Sequence, residues 1–172
     1  DPLILPDKFL ENLILSLNDI KHINTIRIHT RLPVVIPNRI NPGLISWAKK
    51  CRKKLVFVFH VNHPNEINDE VREYITKIKL SNTVLLNQSV LLKGVNNSSK
   101  VLTSLSEKLF EAGVLPYYLH LLDPIKGTSH FFVSASEGMK IIEDLKRYLP
   151  GYLVPRLAQE IPGLDSKKTF FY

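Results

Sequence analysis

Two apolar rhythms alternate along this chain. From Asp7 to Asn18, Phe9, Leu10, Leu13, Ile14 and Leu17 recur at three- and four-residue intervals, which predicts an amphipathic helix. Asn41 and Pro42 open a second helix through Ile45, Trp47 and Ala48. Ile67, Val71, Ile75 and Ile78 predict a third over 66–78, and Leu102, Leu105, Leu109 and Phe110 a fourth over 99–112. A fifth covers 134–148, with Ser134 at the N-cap and Glu137 at the capping-box position. Between them lie short β-type runs at 25–29, 55–59, 84–86, 116–122 and 151–155. Strand and helix alternate throughout, the repeat of a parallel α/β sheet, and the continuously apolar strands imply helices on both faces. About five units are present, where a complete (β/α)8 barrel needs eight strands and roughly 250 residues.

Composition narrows the function classes. The chain has 172 residues, 44% of them hydrophobic, and no apolar run long enough for a membrane span. The net charge of +7 raises the question of nucleic acid. Lys predominates over Arg alongside many Ile and Asn, a bias that an AT-rich genome produces unselected. The densest basic run, Lys49 to Lys54, lacks interleaved aromatics and reads as a solvated corner. Neither nucleic acid nor membrane is expected as a partner. The single Cys51 excludes an internal disulfide, suits a reducing, cytoplasmic compartment, and cannot alone hold an iron–sulfur cluster. The opening Asp1-Pro2, without Met or leader, reads as a truncated or processed start.

In parallel α/β folds chemistry gathers at the C-terminal ends of the strands. Those ends carry His29-Thr30-Arg31, His60-Val61-Asn62-His63, Asn87-Gln88-Ser89, His120 with Asp123, and Arg156 with Glu160, followed by Lys167 and Lys168. Each has a plainer reading. His60 and His63 could cap the following helix, Asn87 and Gln88 could satisfy loose backbone groups, Asp123 could be a turn residue, and the lysine pair a solvated tail.

The segment Thr30-Arg31-Leu32-Pro33-Val34-Val35-Ile36-Pro37-Asn38-Arg39-Ile40 resembles a signature of the lysine 2,3-aminomutase family. His60-Val61-Asn62-His63-Pro64-Asn65-Glu66 and Asn87-Gln88-Ser89-Val90-Leu91-Leu92-Lys93-Gly94-Val95-Asn96 are similar to two further family motifs. Pro116-Tyr117-Tyr118, Gly127-Thr128-Ser129-His130-Phe131 and Gly151-Tyr152 with Val154-Pro155 follow in the family's order.

The resemblance implies a partial parallel (β/α) barrel of the radical S-adenosylmethionine type, lacking its N-terminal units. The barrel would occupy 1–155, with a truncated pyridoxal-phosphate lysine segment over 156–172. It implies an enzyme, an isomerase that converts lysine to β-lysine by 1,2-amino migration. The sequence is most similar to the branch that serves elongation factor P, which would be a functional partner beside the substrate lysine. A homo-oligomer would be in keeping. The implied cofactors are pyridoxal phosphate, S-adenosylmethionine and a four-iron four-sulfur cluster. Lys167 matches the Schiff-base lysine, with Lys168 as rival; Asp123 and Glu160 match the carboxylates that hold the substrate's distal ammonium. His60, Thr30 and Arg31 match the S-adenosylmethionine side, and Asn87 and Gln88 positions near the cofactor phosphate. Asp1-Pro2 resembles the end of a Gly-Gly-Asp-Pro segment. Where family members often have Asp, this chain has Glu160, and the usual glycine run is reduced to Gly163.

The cluster cysteines of the family are absent, and Cys51 does not match one, so the chain is expected to be inactive without an upstream part. Two other readings stay open. A metal-dependent barrel hydrolase could use His29, His60, His63 and His120 as zinc ligands. A non-catalytic remnant of a decayed gene would carry the motifs without the chemistry.

Overall fold

The computed structural model describes residues 1–170. Helix α1 (Asp7–Asn18) enters through Pro6 and buries Leu10 and Ile14. Helices α3 (Pro42–Lys50), α4 (Asp69–Lys77), α5 (Ser99–Glu111) and α6 (Ala135–Tyr148) follow a short α2 (Leu32–Val35). Each long helix after α1 starts on a side-chain cap. Asn41 accepts from Leu44 N at 2.8 Å and Asn68 from Val71 N at 2.8 Å. Ser98 accepts from Val101 N at 3.3 Å and Ser134 from Glu137 N at 3.2 Å. These bonds satisfy amides that have no partner within the helix.

The strands are β1 (Thr25–Thr30), β2 (Lys54–Phe59), β3 (Thr83–Val90), β4 (Leu115–His120), β5 (Arg156–Gln159) and β6 (Lys168–Thr169), in one sheet whose spatial order is the chain order. The first five are parallel and β6 returns antiparallel to β5. A sheet wound in one direction by right-handed crossovers collects its helices on one face. Burial agrees. On β1 Ile28 and Thr30 are buried while Arg27 and His29 are exposed, and on β3 Leu85, Asn87 and Ser89 are buried while Leu86, Gln88 and Val90 are half-open. One contiguous core lies between that covered face and the helices, built around Trp47, Phe57, Phe59 and Leu119. Trp47 donates to Asp7 at 3.1 Å, which ties α3 to the start of α1.

The α/β class and the parallel order agree with the reading of the sequence, and several details differ. Helices cover one face of the sheet, where the apolar strands had implied two. The apolarity of β2 misled here, because only β2 is buried on nearly every position. The expected strand at 151–155 is a 3₁₀ turn, Gly151–Leu153, held by Leu153 N to Pro150 O at 2.9 Å, and pairing starts only after Pro155. Proline has no N–H to give to a ladder. The helix expected over 66–78 is split into a 3₁₀ turn, Pro64–Glu66, and α4, because Asn68 caps a new start. Strand β3 runs on to Val90, so Asn87, Gln88 and Ser89 lie within it rather than beyond it. Glu137 follows the Ser134 cap, but its carboxylate accepts from Asn97 at 3.4 Å. Phe171 and Tyr172, the end of the proposed lysine segment, lie outside the described residues.

Candidate functional site

Strand register decides which side chains share the open face. Gln88 lies opposite Tyr118, Val90 opposite His120, and His120 opposite Ala158. His60 follows the last residue of β2, and its N–H donates to Thr30 O at 3.1 Å. Side chains alternate along each strand, so His29, His60, Gln88 and His120 point to one side. There they line a cavity of about 310 Å³ with Asp1, Thr30, Arg31, Val58, Phe59 and Val90.

One wall of the cavity is built by charge. The Asp1 carboxylate accepts from Leu3 N at 3.0 Å, Arg31 N at 2.7 Å and Leu32 N at 3.0 Å, and from the buried Thr30 hydroxyl at 2.9 Å. Arg31 donates to Glu66 at 2.6 Å and to the His60 carbonyl at 3.1 Å. The second oxygen of Glu66 accepts from Asn62 N at 2.8 Å and His63 N at 2.9 Å. Asn62 in turn accepts from Val90 N at 2.8 Å, and Asn96 donates to Asn62 O and Val90 O at 2.8 Å each. The loop after β2 is therefore fixed from both sides.

The two histidines of that loop do different work. His63 is a cap: its Nδ1 accepts from Asn65 N at 3.2 Å, at the start of the Pro64–Glu66 turn. His60 faces the cavity. Its Nε2 is buried and has no partner. Burial, aided by the Arg31 charge, holds its pKa below the usual 6.5. A neutral imidazole with a free, buried nitrogen is ready to meet a ligand's polar atom.

His120 is also held low, by burial first and then by Lys167, against the opposing charges of Glu160 and Asp123. His29 is lowered by burial, Arg27 and Lys167. Lys167 pairs with Glu160 and lies 5.7 Å above the Tyr118 ring. The neighbouring Lys168 belongs to β6, paired with Gln159, and stands over the Phe170 ring at 5.4 Å. Asp123 is exposed after β4 and lines a neighbouring depression with Leu122, Ile125 and Phe132. The structure thus gathers His60, Gln88, Thr30 and Arg31 around the cavity, and Lys167, Glu160 and Asp123 within electrostatic range of His120.

Asn87 points the other way. Its side chain accepts from Val61 N at 2.9 Å and donates to Val61 O at 3.1 Å and Ser89 Oγ at 2.8 Å, all on the buried face. Cys51 is a core residue, 4% exposed, and burial raises its pKa. Burial prevails over the opposing charge of Lys53. Among the described residues no three His, Cys, Asp or Glu side chains gather to share a metal ion. His63, one of the four candidate zinc ligands, is committed to its cap. Sequence reasoning missed the role of Asp1 as a clamp on the end of β1, which a residue paired across 29 positions does not announce.

No family model matches the chain. Over 99% of its length it is 49% identical to an L-lysine 2,3-aminomutase of Haemophilus influenzae, and over 97% it is 45% identical to one of Escherichia coli. A third, from Clostridium subterminale, is 39% identical over 97%. Across nearly its whole length, the chain matches lysine 2,3-aminomutases. It spans about half the length of these aminomutase relatives, 50%, 49% and 40% respectively. No helix among the described residues is long and apolar enough to cross a membrane.

Proposed function

We propose that this chain is part of a lysine 2,3-aminomutase that converts lysine to β-lysine, and that its open sheet face is the inner wall of a radical S-adenosylmethionine barrel. The observation that carries the reading is the position of Lys167. It stands over Tyr118 and beside Glu160, near a cavity lined by three histidines, with Asp123 close to the same His120.

The residues fit the cofactors that the family implies. An aldehyde cofactor such as pyridoxal phosphate needs a reachable lysine amine, and Lys167 is one-third exposed at the rim. Pyridoxal phosphate would hold the migrating amino group covalently, and S-adenosylmethionine would be the radical source. Asp123 and Glu160 would together hold a distal ammonium, since paired anions fix a cation at the end of a flexible chain. His60, with its unpartnered Nε2, and Arg31 would contact S-adenosylmethionine, with Thr30 holding that loop end through Asp1. Gln88 would reach the cofactor phosphate, and Asn87 would act from behind by fixing Val61. The iron–sulfur ligands would come from outside these residues, because Cys51 is enclosed in the core. Lysine would be the substrate, elongation factor P the destination of the product, and the cytoplasm the site of action.

The test is covalent capture. Incubation with pyridoxal phosphate and reduction with borohydride should fix the cofactor on Lys167, located by peptide mass spectrometry. Lys167→Ala should lose the adduct and Lys168→Ala should keep it. Capture on Lys168, or on neither, overturns the assignment.

A further inference from the structure

The pairing of Lys167 with Glu160 sets two assigned roles against each other. One carboxylate is read as the holder of a substrate ammonium, yet in the structure it pairs with the lysine. The hairpin brings the two residues opposite each other. Ala158 lies opposite Thr169 and Gln159 opposite Lys168, so the next pair outward is Glu160 with Lys167. Gly163, at φ +86°, turns the chain between them, and Leu164 N donates to Ile161 O at 3.2 Å. The turn stands in a conformation that glycine adopts without strain. Neither member of the pair is deeply buried, with side chains 33% and 51% exposed, so the contact is reversible.

Resting on the function proposed above, we propose that Glu160 has two successive partners: the Lys167 ammonium with which it pairs in the structure, and the substrate's distal ammonium once Lys167 has joined the cofactor. The chemistry requires a sequence of this kind. To join an aldehyde, the Lys167 ammonium must give up its proton to solvent. The free amine then adds to the carbonyl carbon, water leaves, and a C=N bond remains. The charge that attracted Glu160 is lost from its old position, and the carboxylate is free for another cation. Lys167 lies 5.7 Å from the Tyr118 ring, and Asp123, close enough for its charge to act on His120, would complete the ammonium site. Glu160 thereby orders the events, with cofactor before substrate, and is a positioning residue for Lys167.

The test uses the whole chain and needs no turnover. The rate at which pyridoxal phosphate is fixed on Lys167 by borohydride is compared in wild type, Glu160→Gln, Glu160→Asp and the distant surface variant Glu143→Gln. Capture should be about two- to fivefold faster in Glu160→Gln, the range that loss of an exposed ion pair allows. Glu160→Asp should restore the slower rate, and Glu143→Gln should behave as wild type. In parallel, acetylation of Lys167 at limiting reagent, without cofactor, should rise by a similar factor in Glu160→Gln only. Equal capture and acetylation rates in wild type and Glu160→Gln overturn the exchange while leaving the cofactor assignment intact. Faster acetylation with no cofactor capture in any protein leaves the ion pair standing, but overturns the cofactor assignment and the exchange with it.

Discussion

Arg31 and Glu66 lie 2.6 Å apart, and their ion pair joins the end of β1 to the loop that follows β2. Thirty-five positions separate them. Arg31 also holds the His60 carbonyl, while Glu66 holds the amides of Asn62 and His63. The chain thus fixes the backbone of its cavity loop with one cation and one anion.

Glu66→Ala removes an acceptor from two backbone amides and a partner from Arg31. The expected cost is about 1–3 kcal/mol in urea unfolding, the usual penalty of leaving such groups unsatisfied. Glu66→Gln keeps an acceptor oxygen for the amides and should cost less. Equal midpoints for wild type and Glu66→Ala would mean that water replaces the carboxylate.

Asn96 is fully buried and has three backbone partners: Asn62 O, Val90 O and, at 2.7 Å, Leu92 N. Asn96→Ala should lower stability by about 2–4 kcal/mol, because several buried groups lose partners together. Asn96→Asp should be at least as damaging, since it puts a carboxylate against two carbonyl oxygens. Hydrogen exchange at Leu92 N should accelerate in both variants. Unchanged protection there would show that the network re-forms without the side chain.

His60 and His120 have pKa values held below 6.5, chiefly by burial. Unfolding exposes them, so below about the ordinary histidine value the unfolded chain binds more protons than the folded one. Their stabilising contribution is complete above 6.5 and is lost as pH falls from there through the lowered folded values. The urea midpoint should therefore drop as pH falls below about 6.5. Glu160, held below 4.5 by Lys167, adds its own loss only at lower pH. Replacing His60 and His120 by Gln should flatten the upper part of the curve. A midpoint independent of pH across that window would contradict the buried, neutral state.

The elements were legible because their causes are local. Ser98 and Ser134 cap the helices that begin one residue later, and the apolar intervals of α5 follow from 3.6 residues per turn. The strand expected at 151–155 failed for an equally local reason, the two prolines that bracket it. The histidines of the β2 loop were not separable by sequence, since both stand beside the same turn. Only the packing of Asn87 and Val61 behind the loop turns His60 to the cavity and leaves His63 at the cap.

By itself, then, the order of residues determined the alternation of strand and helix, the likeness to lysine 2,3-aminomutases, and the types of side chain at the strand ends. These depend on near neighbours and on type, which a linear text records. Tertiary structure alone decided that helices cover one face of the sheet, that Asp1 clasps Thr30, and that Asn87 serves the core while Gln88 lines the cavity. It also decided that Lys167 rather than Lys168 meets Glu160. The last two outcomes are choices between adjacent residues, made by strand register. A one-residue step reverses the face that a side chain meets, and register is set by pairing with distant strands.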